Sequence, residues 1–244
     1  MDIYKHKGKL VTLDPSPTVV ITGATSGIGQ AIARGFAKAG EQVHALGIGD
    51  LPTPEINLSY AELDVQDSAA VVATISPYTA LRVVVNCAGI IHREAEHEPE
   101  VFQQVININL TGTMRVCAAA RSNLAANSGV IINIASMLSY FGGGLVPGYA
   151  ASKGGVMQLT KSLAIAYAED GICVNALAPG WITTPLTSSL HDDTERSKVL
   201  LARTPMGRWG TPEDLVSPAL FLASSGASFI TGTMLNVDGG YASM

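Results

Sequence analysis

Short apolar runs alternate with helical patterns along the chain from Thr18 onward. The runs TVVIT, QVHAL, AEL, LRVVVN, GVIINIAS, ICVNALA and GTMLNV are short and mostly rich in β-branched residues, which favours strands over helices. Most of them lack alternating polar positions, as is typical of strands buried on both faces of a parallel sheet. The pattern predicts a single α/β domain over residues 1–244. We expect a doubly wound parallel sheet of about seven strands with helices on both faces.

Helical patterns occupy segments between these runs. Ile28, Ile32 and Phe36 recur at helical spacing. The segment PEVFQQVININLTGTMRVCAAARSNL predicts one long helix that Pro99 can begin at its first turn. YAASKGGVMQLTKSLAIAYAED predicts another, with Gly171 as its C-cap, and PEDLVSPALFLASS predicts one more. No repeat, linker or low-complexity segment divides the chain.

One connection is too short for a crossover helix. Between Gly47 and Tyr60 the sequence GIGDLPTPEINLSY has two prolines and no helical period. A parallel crossover usually takes about a dozen residues or more. We therefore expect a loop here, which leaves that edge of the sheet thinly covered.

Composition narrows the class of protein. Charged residues make up only 14% of the chain, and the formal net charge is −5 with no run of lysine or arginine. A nucleic-acid partner is therefore not expected. The 3 cysteines are far apart, without CxxC or a His/Cys cluster, so we expect free thiols and no metal site. We find no signal peptide and no apolar run of about 18 residues, so we predict a cytoplasmic protein outside the membrane.

A glycine-rich turn joins the run TVVIT to the helix of Ile28. Its sequence is TGATSGIGQAIA, with Gly23, Gly27 and Gly29. The first glycine suits a tight turn, the second lets the backbone approach a phosphate, and the third lets helix and strand pack closely. The helix N-terminus presents free N–H groups and a positive dipole to an anion. A merely tight turn is the simpler alternative, but the place between strand and helix favours a dinucleotide phosphate site.

Further motifs follow in the order of one enzyme family. They are TGATSGIG (22–29), NCAG (86–89), Ser136, Tyr149-x-x-x-Lys153 and Pro179-Gly180. From Val19 to Gly240 the chain resembles the short-chain dehydrogenases/reductases, with Cys87 replacing the second asparagine of the family's NNAG motif. The resemblance implies a Rossmann-like fold and an oxidoreductase that transfers a hydride between a nicotinamide cofactor and a secondary alcohol or ketone.

Tyr149 and Lys153 stand four residues apart on a predicted helix. This spacing puts both side chains on one face, so the Lys153 ammonium can lie close to the phenol oxygen. A nearby cation lowers the pKa of a tyrosine, which is about 10 when free, and a bound oxidised nicotinamide would add a second positive charge. Tyr140 lacks such a partner, because Gly144 stands four residues after it in a loop. We predict that Tyr149 exchanges the proton while Lys153 tunes it and holds the nicotinamide ribose.

Two more polar residues are expected in the catalytic group. Ser136 ends the run GVIINIAS, and parallel sheets place ligand sites at such strand ends. Its hydroxyl can hydrogen-bond a substrate carbonyl. Ser139 is the alternative candidate for this role. Asn109 lies inside the long helix, where asparagine is mildly unfavourable. The resemblance implies that Asn109 holds a water linking Lys153 to solvent, with a purely structural asparagine as the alternative. Asn107 is expected to face elsewhere.

The resemblance also implies contacts to the dinucleotide from the glycine-rich turn, the strand ends and the segment after Pro179. These residues are Gly23, Thr25, Ser26, Gly27, Ile28, Gly29, Asp64, Val65, Asn86, Ala88, Gly89, Tyr149, Lys153, Pro179, Gly180, Ile182 and Thr184. Just after the second strand, an acidic residue favours the free ribose of NAD, whereas an arginine favours the 2′-phosphate of NADP. Here this position falls on Gly47, and Ser26 in the glycine-rich turn carries no positive charge either. Because no cation is available for a 2′-phosphate, NAD is favoured as the cofactor, with NADP as the alternative.

The substrate is less clearly indicated. The sequence AGIIHRE places His92 and Arg93 just beyond a strand end. Arg93 can bind a carboxylate with two parallel hydrogen bonds. The alternative is a solvated surface arginine. Met137 and Trp181 are further candidates. INIASMLSYFGG, VPGYAASKGGVM and RWGTPEDL resemble the branch of the family that acts on sugar acids of the 2-deoxygluconate or 2-keto-3-deoxygluconate type. Residues of about 181–207 resemble a mobile substrate lid.

Other functions stay open at this point. A 3-oxoacyl-carrier-protein reductase has similar motifs but would need NADPH and a basic docking patch, and the sequence indicates neither. A non-catalytic dinucleotide-binding sensor would not need Ser136, Tyr149 and Lys153 together. The family resemblance also implies a homotetramer or homodimer assembled through the long helices.

Overall fold

The computed structural model describes residues 3–6, 9–12 and 18–244. The strands are β1 (Ile3–His6), β2 (Lys9–Thr12), β3 (Val19–Thr22), β4 (Val43–Gly47), β5 (Leu58–Glu62), β6 (Val83–Asn86), β7 (Val130–Ile134), β8 (Cys173–Pro179) and β9 (Met234–Val237). β1 and β2 form an antiparallel pair. The other strands form a seven-stranded sheet in the order β5-β4-β3-β6-β7-β8-β9, parallel throughout. The predicted parallel α/β sheet is confirmed.

Helices cover both faces of this sheet. They are α1 (Gly27–Lys38), α2 (Ser68–Ile75), α3 (Pro99–Ile106), α4 (Thr113–Ala126), α5 (Pro147–Ala166), α6 (Ser188–His191), α7 (Thr194–Ala202) and α8 (Val216–Leu222). Along β3, Val19 and Ile21 enter a core with α1 and α8, whereas Val20 enters a second core with α2, α4 and α5. The strand is therefore apolar at every position because both of its faces are buried. None of the described helices is long and apolar enough to cross a bilayer.

One local prediction needs correction, and one helix was not predicted. β5 begins at Leu58, inside the stretch expected to be a loop, although residues 48–57 contain no helix, as expected. α2 is absent from the sequence prediction because its apolar residues surround the helix and give no stripe. Its start is set by a polar contact instead, since the Asp67 side chain accepts hydrogen bonds from the N–H groups of Ala69 and Ala70.

The predicted long helix contains a change of pitch. After α3 the chain forms a turn of π-helix over Asn107–Gly112, and α4 follows directly. Within this turn the Thr113 hydroxyl donates to the Asn109 carbonyl over 2.8 Å, and Asn109 is fully buried. Gly112 packs on Val65, where a Cβ would lie 2.6 Å from the valine methyl Cγ2. Such wide turns are frequent at functional sites.

The strand order creates a crevice at the carboxyl edge of the sheet. From β3 the chain builds outward through β4 and β5, and then returns to place β6 on the other side of β3. Loops that leave β3 and β6 therefore diverge, and ligands of doubly wound sheets bind at such a point.

Candidate active site

A cleft of about 550 Å³ lies at these carboxyl ends. One wall is the glycine-rich turn after β3, and the other is formed by the loop after β7 and by α5. Thr184 to Thr187, in the segment expected to be a lid, line the cleft as well. Of the residues predicted to bind the dinucleotide, all but Asn86 line it.

The glycine-rich turn needs its glycines for steric reasons. Gly23 and Gly27 have φ angles of 63° and 53°, a left-handed conformation that L side chains rarely adopt. A Cβ on Gly23 would also lie 2.6 Å from the Ala88 Cα, and a Cβ on Gly29 would collide with the Gly23 carbonyl oxygen. Ser26 makes no side-chain cap on α1, so the first N–H groups of that helix stay available. This cradle fits the pyrophosphate of a dinucleotide.

Asn86 lies beneath the cleft rather than in its lining. The side chain is buried, and its amide donates to Asn133 over 2.9 Å and to the sulfur of Cys117 over 3.2 Å. Asn133 in turn donates to Thr160 of α5 over 2.9 Å. The Asn86 side chain therefore ties β6 to β7 and, through them, to the helix that carries Tyr149.

Lys153 is buried beside Tyr149, as the helical spacing predicts. Its ammonium lies 5.6 Å from the centroid of the Tyr149 ring and donates to the carbonyl oxygen of Ile134 over 2.6 Å. The side chain is only 4% exposed. Burial disfavours the charged form and lowers the pKa of Lys153 to about 8. Both groups line the same cleft.

The acidity of Tyr149 differs from the expectation. Burial raises its pKa to about 12; the hydrogen bond with Ser136 lowers it, and the negative charges of Cys87 and Glu96 would raise it further. In the protein alone, loss of water around the phenol is the largest influence on this pKa, so the phenol keeps its proton at neutral pH. The protein alone therefore does not show the lowering of the Tyr149 pKa, and the lowering expected from Lys153 together with an oxidised nicotinamide stays a prediction.

The two candidate serines have different surroundings. Ser136 lines the cleft, and its oxygen accepts a hydrogen bond from the N–H of Leu138 over 3.1 Å. Ser139 is not among the lining residues, because its hydroxyl donates to the Lys153 carbonyl over 2.7 Å and accepts from the Ser136 N–H over 3.3 Å. Ser139 thus holds the Ser136 loop against α5.

Asn109 reaches the same region from the π-helical turn. Its side-chain oxygen accepts from the Ile90 N–H over 2.8 Å, and its amide donates to the Ile90 carbonyl and to the Ser152 hydroxyl over 2.9 and 3.0 Å. The Asn107 side chain faces Gln66 and Arg115 instead, as expected. Ser152, which the sequence analysis did not single out, donates to the Tyr149 carbonyl over 2.7 Å.

Glu96 is the other residue that sequence reasoning missed. It stands in the charged run HREAEHEPE, which looks like a solvated segment, yet it is only 1% exposed. One carboxylate oxygen accepts from the His92 N–H over 2.8 Å and the other from the Tyr149 N–H over 2.7 Å. No periodicity marks this position, because its neighbours in sequence form only a short 3-10 turn.

The four tentative substrate residues are scattered. His92 is exposed and Arg93 half-buried, and neither lines the cleft. Met137 is buried in a small core cluster. Trp181 packs edge-on against Trp209 and Tyr241 and borders a separate cavity of about 350 Å³.

Three further observations concern the chemistry of the cleft and its surroundings. Tyr140 is 48% exposed and donates to Asn236 over 3.2 Å, away from the cleft lining. Within the described ranges, no group of three or more His, Cys, Asp or Glu residues could hold a metal ion. The thiol of Cys87 lines the cleft, and burial raises its pKa to about 12.

Comparison with known proteins agrees with this geometry. Residues 23–242 match the family model described as Enoyl-(Acyl carrier protein) reductase. The chain is 40% identical to the 2-dehydro-3-deoxy-D-gluconate 5-dehydrogenase of Bacillus subtilis over 99% of this chain and 98% of the relative. It is 38% identical to a 3-oxoacyl-[acyl-carrier-protein] reductase of Chlamydia trachomatis over 92% of this chain and 97% of the relative.

A solved structure shares the fold along almost the whole chain. The gluconate 5-dehydrogenase of Burkholderia cenocepacia, in complex with NADP and tartrate, superposes with a TM-score of 0.86 at 35% identity. The match covers 95% of this chain and 97% of that one. The chain therefore belongs to the short-chain dehydrogenase/reductase family and is an NAD(P)-dependent oxidoreductase that acts on CH–OH groups.

Proposed function

We propose that the enzyme interconverts a secondary alcohol and a ketone on a sugar acid, of the 2-deoxygluconate or 2-keto-3-deoxygluconate type. The observation that carries the proposal is the meeting of Ser136, Tyr149 and Lys153 on one wall of a cleft whose other wall is the phosphate cradle. Relatives named for sugar acids support the substrate class, and tartrate in the related structure is itself a hydroxy acid.

Each catalytic residue has a proposed task. When bound, the nicotinamide cofactor supplies or accepts the hydride. The Tyr149 phenol gives its proton to the carbonyl oxygen during reduction and takes it back during oxidation. The Ser136 hydroxyl hydrogen-bonds the same oxygen, and the buried Lys153 ammonium favours the phenolate that oxidation requires. Asn109 orders the turn behind Lys153 and the water by which that lysine exchanges protons with solvent.

NAD is the proposed cofactor. Among the residues that line the cleft, the only cation is Lys153, and none lies near the expected ribose position at Gly47. A side chain at Gly47 would lie 2.9 Å from the methyl group of Thr25, so the absence of an acid there has a steric reason. Comparing kcat/KM for NAD and NADP tests this preference, and a ratio in favour of NADP would overturn it.

Arg93 lies outside the cleft lining, three residues after the lining residue Ile90, and is the proposed anchor for the substrate carboxylate. The side chain is half-buried, and no ion pair involving it occurs within the described part of the chain. A carboxylate could take up its two parallel N–H donors. Arg93→Met is expected to raise KM about tenfold or more with little change in kcat, since a charge-assisted pair is lost equally from ground and transition states.

A panel of aldonates, 2-deoxyaldonates and 2-keto-3-deoxy acids, assayed with both cofactors, tests the reaction as a whole. We expect turnover on at least one of them, and Tyr149→Phe is expected to lose more than about 90% of it because the proton-transfer group is gone. A variant that keeps more than about a tenth of the activity would remove Tyr149 from its proposed role. No turnover by the wild type while NADH still binds would favour a dinucleotide-binding sensor.

A second candidate is a 3-oxoacyl-carrier-protein reductase. The Chlamydia trachomatis relative carries that name, and its identity to this chain is close to that of the sugar-acid relatives. Acetoacetyl-carrier protein with NADPH belongs in the same panel. A kcat/KM higher than for every sugar acid would favour this candidate.

We also propose that the enzyme is a homodimer or homotetramer. Large apolar side chains face solvent in the single chain, with Phe229 fully exposed and Ile165 80% exposed. Clusters of such residues commonly mark subunit contacts. Light scattering after size exclusion tests the proposal, and a monomer at micromolar concentration would contradict it. The cytoplasmic location stays a prediction.

A further inference from the structure

Glu96 is a buried carboxylate with both oxygens in use. It is 1% exposed and accepts from the backbone N–H groups of His92 and Tyr149 at 2.8 and 2.7 Å. Burying a carboxylate is costly unless hydrogen bonds replace its water. The two N–H donors offset part of that cost.

The first contact is made to the helix of the catalytic tyrosine. α5 begins at Pro147, and its N-cap residue Val146 has no side chain that could bond the first free N–H groups. Glu96 supplies that bond from a segment 53 residues earlier in the chain, at the N–H of Tyr149 itself. A negative charge is also favoured at the positive end of a helix dipole. Glu96 therefore caps the turn from which the Tyr149 side chain leaves.

Gly148 leaves room for this contact. A Cβ at Gly148 would lie 3.2 Å from a carboxylate oxygen of Glu96 and 3.3 Å from the Cα of Phe102. The carboxylate therefore packs directly against the backbone of the first turn of α5. A close approach of this kind restricts the position of the helix start as well as its hydrogen bonding.

The second contact is made to the segment that carries Arg93. The Glu96 carboxylate holds the N–H of His92, and Asn109 holds both backbone groups of Ile90. The N–H of Glu94 adds a bond of 2.7 Å to the carbonyl of Leu145, just before α5. The segment from Ile90 to Glu96 is thereby bound to α5 at Tyr149, to the loop before α5 at Leu145 and to the π-helical turn at Asn109.

We infer that Glu96 is a positioning residue that holds the Arg93 segment and the Tyr149 turn in one geometry, so that substrate anchor and proton donor move together. This inference rests on the proposed roles of Tyr149 and Arg93. Glu96 does not line the cleft, and it acts mainly through the backbone groups it binds. Its charge adds an electrostatic effect on the same tyrosine.

The charged and titratable groups around Tyr149 give that effect a direction. Lys153 lies on α5, Cys87 follows β6, and Glu96 lies on the segment before α3, while Ser136 after β7 adds a hydrogen bond. The negative charge of Glu96 raises the pKa of Tyr149. Removing the charge is therefore expected to lower that pKa and to move the pH dependence of alcohol oxidation toward acid.

Glu96→Gln and Glu96→Asp test the inference, with Glu98→Gln as the matched control. Glu98 is an exposed carboxylate two residues later whose side chain caps no helix N–H. Each variant is assayed for kcat, KM and the pH midpoint of kcat/KM with the best substrate of the panel, and for NADH affinity by fluorescence. The affinity reports whether the cleft is folded, independently of turnover.

Glu96→Gln is expected to lower kcat/KM about tenfold through loss of one buried charge-assisted hydrogen bond, and to move the pH midpoint toward acid. Glu96→Asp keeps the charge, so we expect a lower rate with an unchanged midpoint. Glu98→Gln should match the wild type. If Glu96→Gln does not bind NADH, its cleft is not folded, and the kinetics of Glu96→Asp then test the inference.

Two results would overturn the inference. One is a Glu96→Gln enzyme that binds NADH and equals Glu98→Gln in kcat/KM and pH midpoint. The other is a Glu96→Asp enzyme with wild-type kinetics. If Tyr149→Phe stays active, the proposed function fails instead, and that outcome is measured separately.

Discussion

The two walls of the cleft are built in different ways. The phosphate cradle consists of backbone, and its shape depends on glycines that stand within a few residues of one another. The opposite wall, proposed to be the catalytic wall, depends on side chains that bind backbone groups of distant segments: Glu96 holds the N–H of Tyr149, and Asn109 holds that of Ile90. One wall is therefore a local conformation, and the other is a network of buried polar contacts.

This difference has an energetic consequence. A cradle of glycines fails by steric overlap, which a single added methyl group produces. A buried polar network fails when one partner is removed and the others lose their hydrogen bonds without access to water. The two walls should thus respond to different kinds of substitution.

The largest effect is expected in the cradle. Gly23→Ala places a Cβ 2.6 Å from the backbone of Ala88 at a φ of 63°. Backbone strain and overpacking together are expected to lower the free energy of unfolding by about 2–6 kcal/mol and to abolish NADH binding. Urea unfolding and fluorescence titration measure both. Gly154→Ala is the control, because nothing lies within 4 Å of its Cβ and the helix should gain about 1 kcal/mol. Equal effects of the two substitutions would contradict the steric account.

A somewhat smaller effect is expected in the catalytic wall. Asn109→Ala leaves the N–H and carbonyl of Ile90 without their partner, which should cost about 2–4 kcal/mol of unfolding free energy. The reaction rate should fall as well, since Ile90 begins the Arg93 segment. Asn107→Ala, whose side chain faces Gln66 and Arg115, serves as control and should cost less than half as much. If Asn109→Ala had the same stability and rate as Asn107→Ala, the hydrogen bonds of Asn109 would not support the catalytic wall.

The burial of Lys153 predicts a dependence of stability on pH. Its pKa is about 8 in the folded protein and 10.5 in the unfolded chain, so between these values the unfolded chain binds more protons. Stability should therefore rise with pH in this window, by about 2 kcal/mol up to pH of about 10. The measured quantity is the unfolding free energy of the wild type minus that of Lys153→Met. A difference that stays flat from pH of about 7.5 to about 10 would show that the lysine is not desolvated.

The smallest effect separates the two serines of the catalytic wall. Ser139→Ala removes the bond to the Lys153 carbonyl and the acceptor for the Ser136 N–H. We expect the free energy of unfolding to fall by about 1 kcal/mol and kcat/KM to fall less than about tenfold. Ser136→Ala should show the reverse balance, with a large loss of rate and a small loss of stability. Thermal unfolding measures the loss of stability, and steady-state kinetics measure the loss of rate. If Ser139→Ala lost more rate than Ser136→Ala, the two serines would exchange their proposed roles.

The sequence predicted the fold well because its signals are local. Apolar strands and a helical stripe after Gly29 depend on neighbours a few residues away. α2 was missed because its start depends on the Asp67 cap rather than on a stripe. The π-helical turn at Asn109 was missed because α- and π-turns share the same apolar pattern over one turn.

The candidate site was predicted where its residues stand in sequence motifs, and every predicted dinucleotide contact except Asn86 lines the cleft. Tyr149 and Lys153 share a helix face, so their proximity followed from spacing alone. The pKa of Tyr149 did not, since it depends on how much water reaches the phenol. Glu96 stands in a run of charges whose composition suggests solvent, and only its burial against α5 distinguishes it from Glu98.

The sequence by itself determined the strand–helix alternation, the glycine cradle and the pairing of Tyr149 with Lys153. These follow from steric limits and from helix geometry over a few residues. The tertiary structure alone decided which carboxylate is buried and in which direction the pKa of Tyr149 moves in the protein. Those properties depend on desolvation and on hydrogen bonds between segments as far apart as the 53 residues that separate Glu96 from Tyr149.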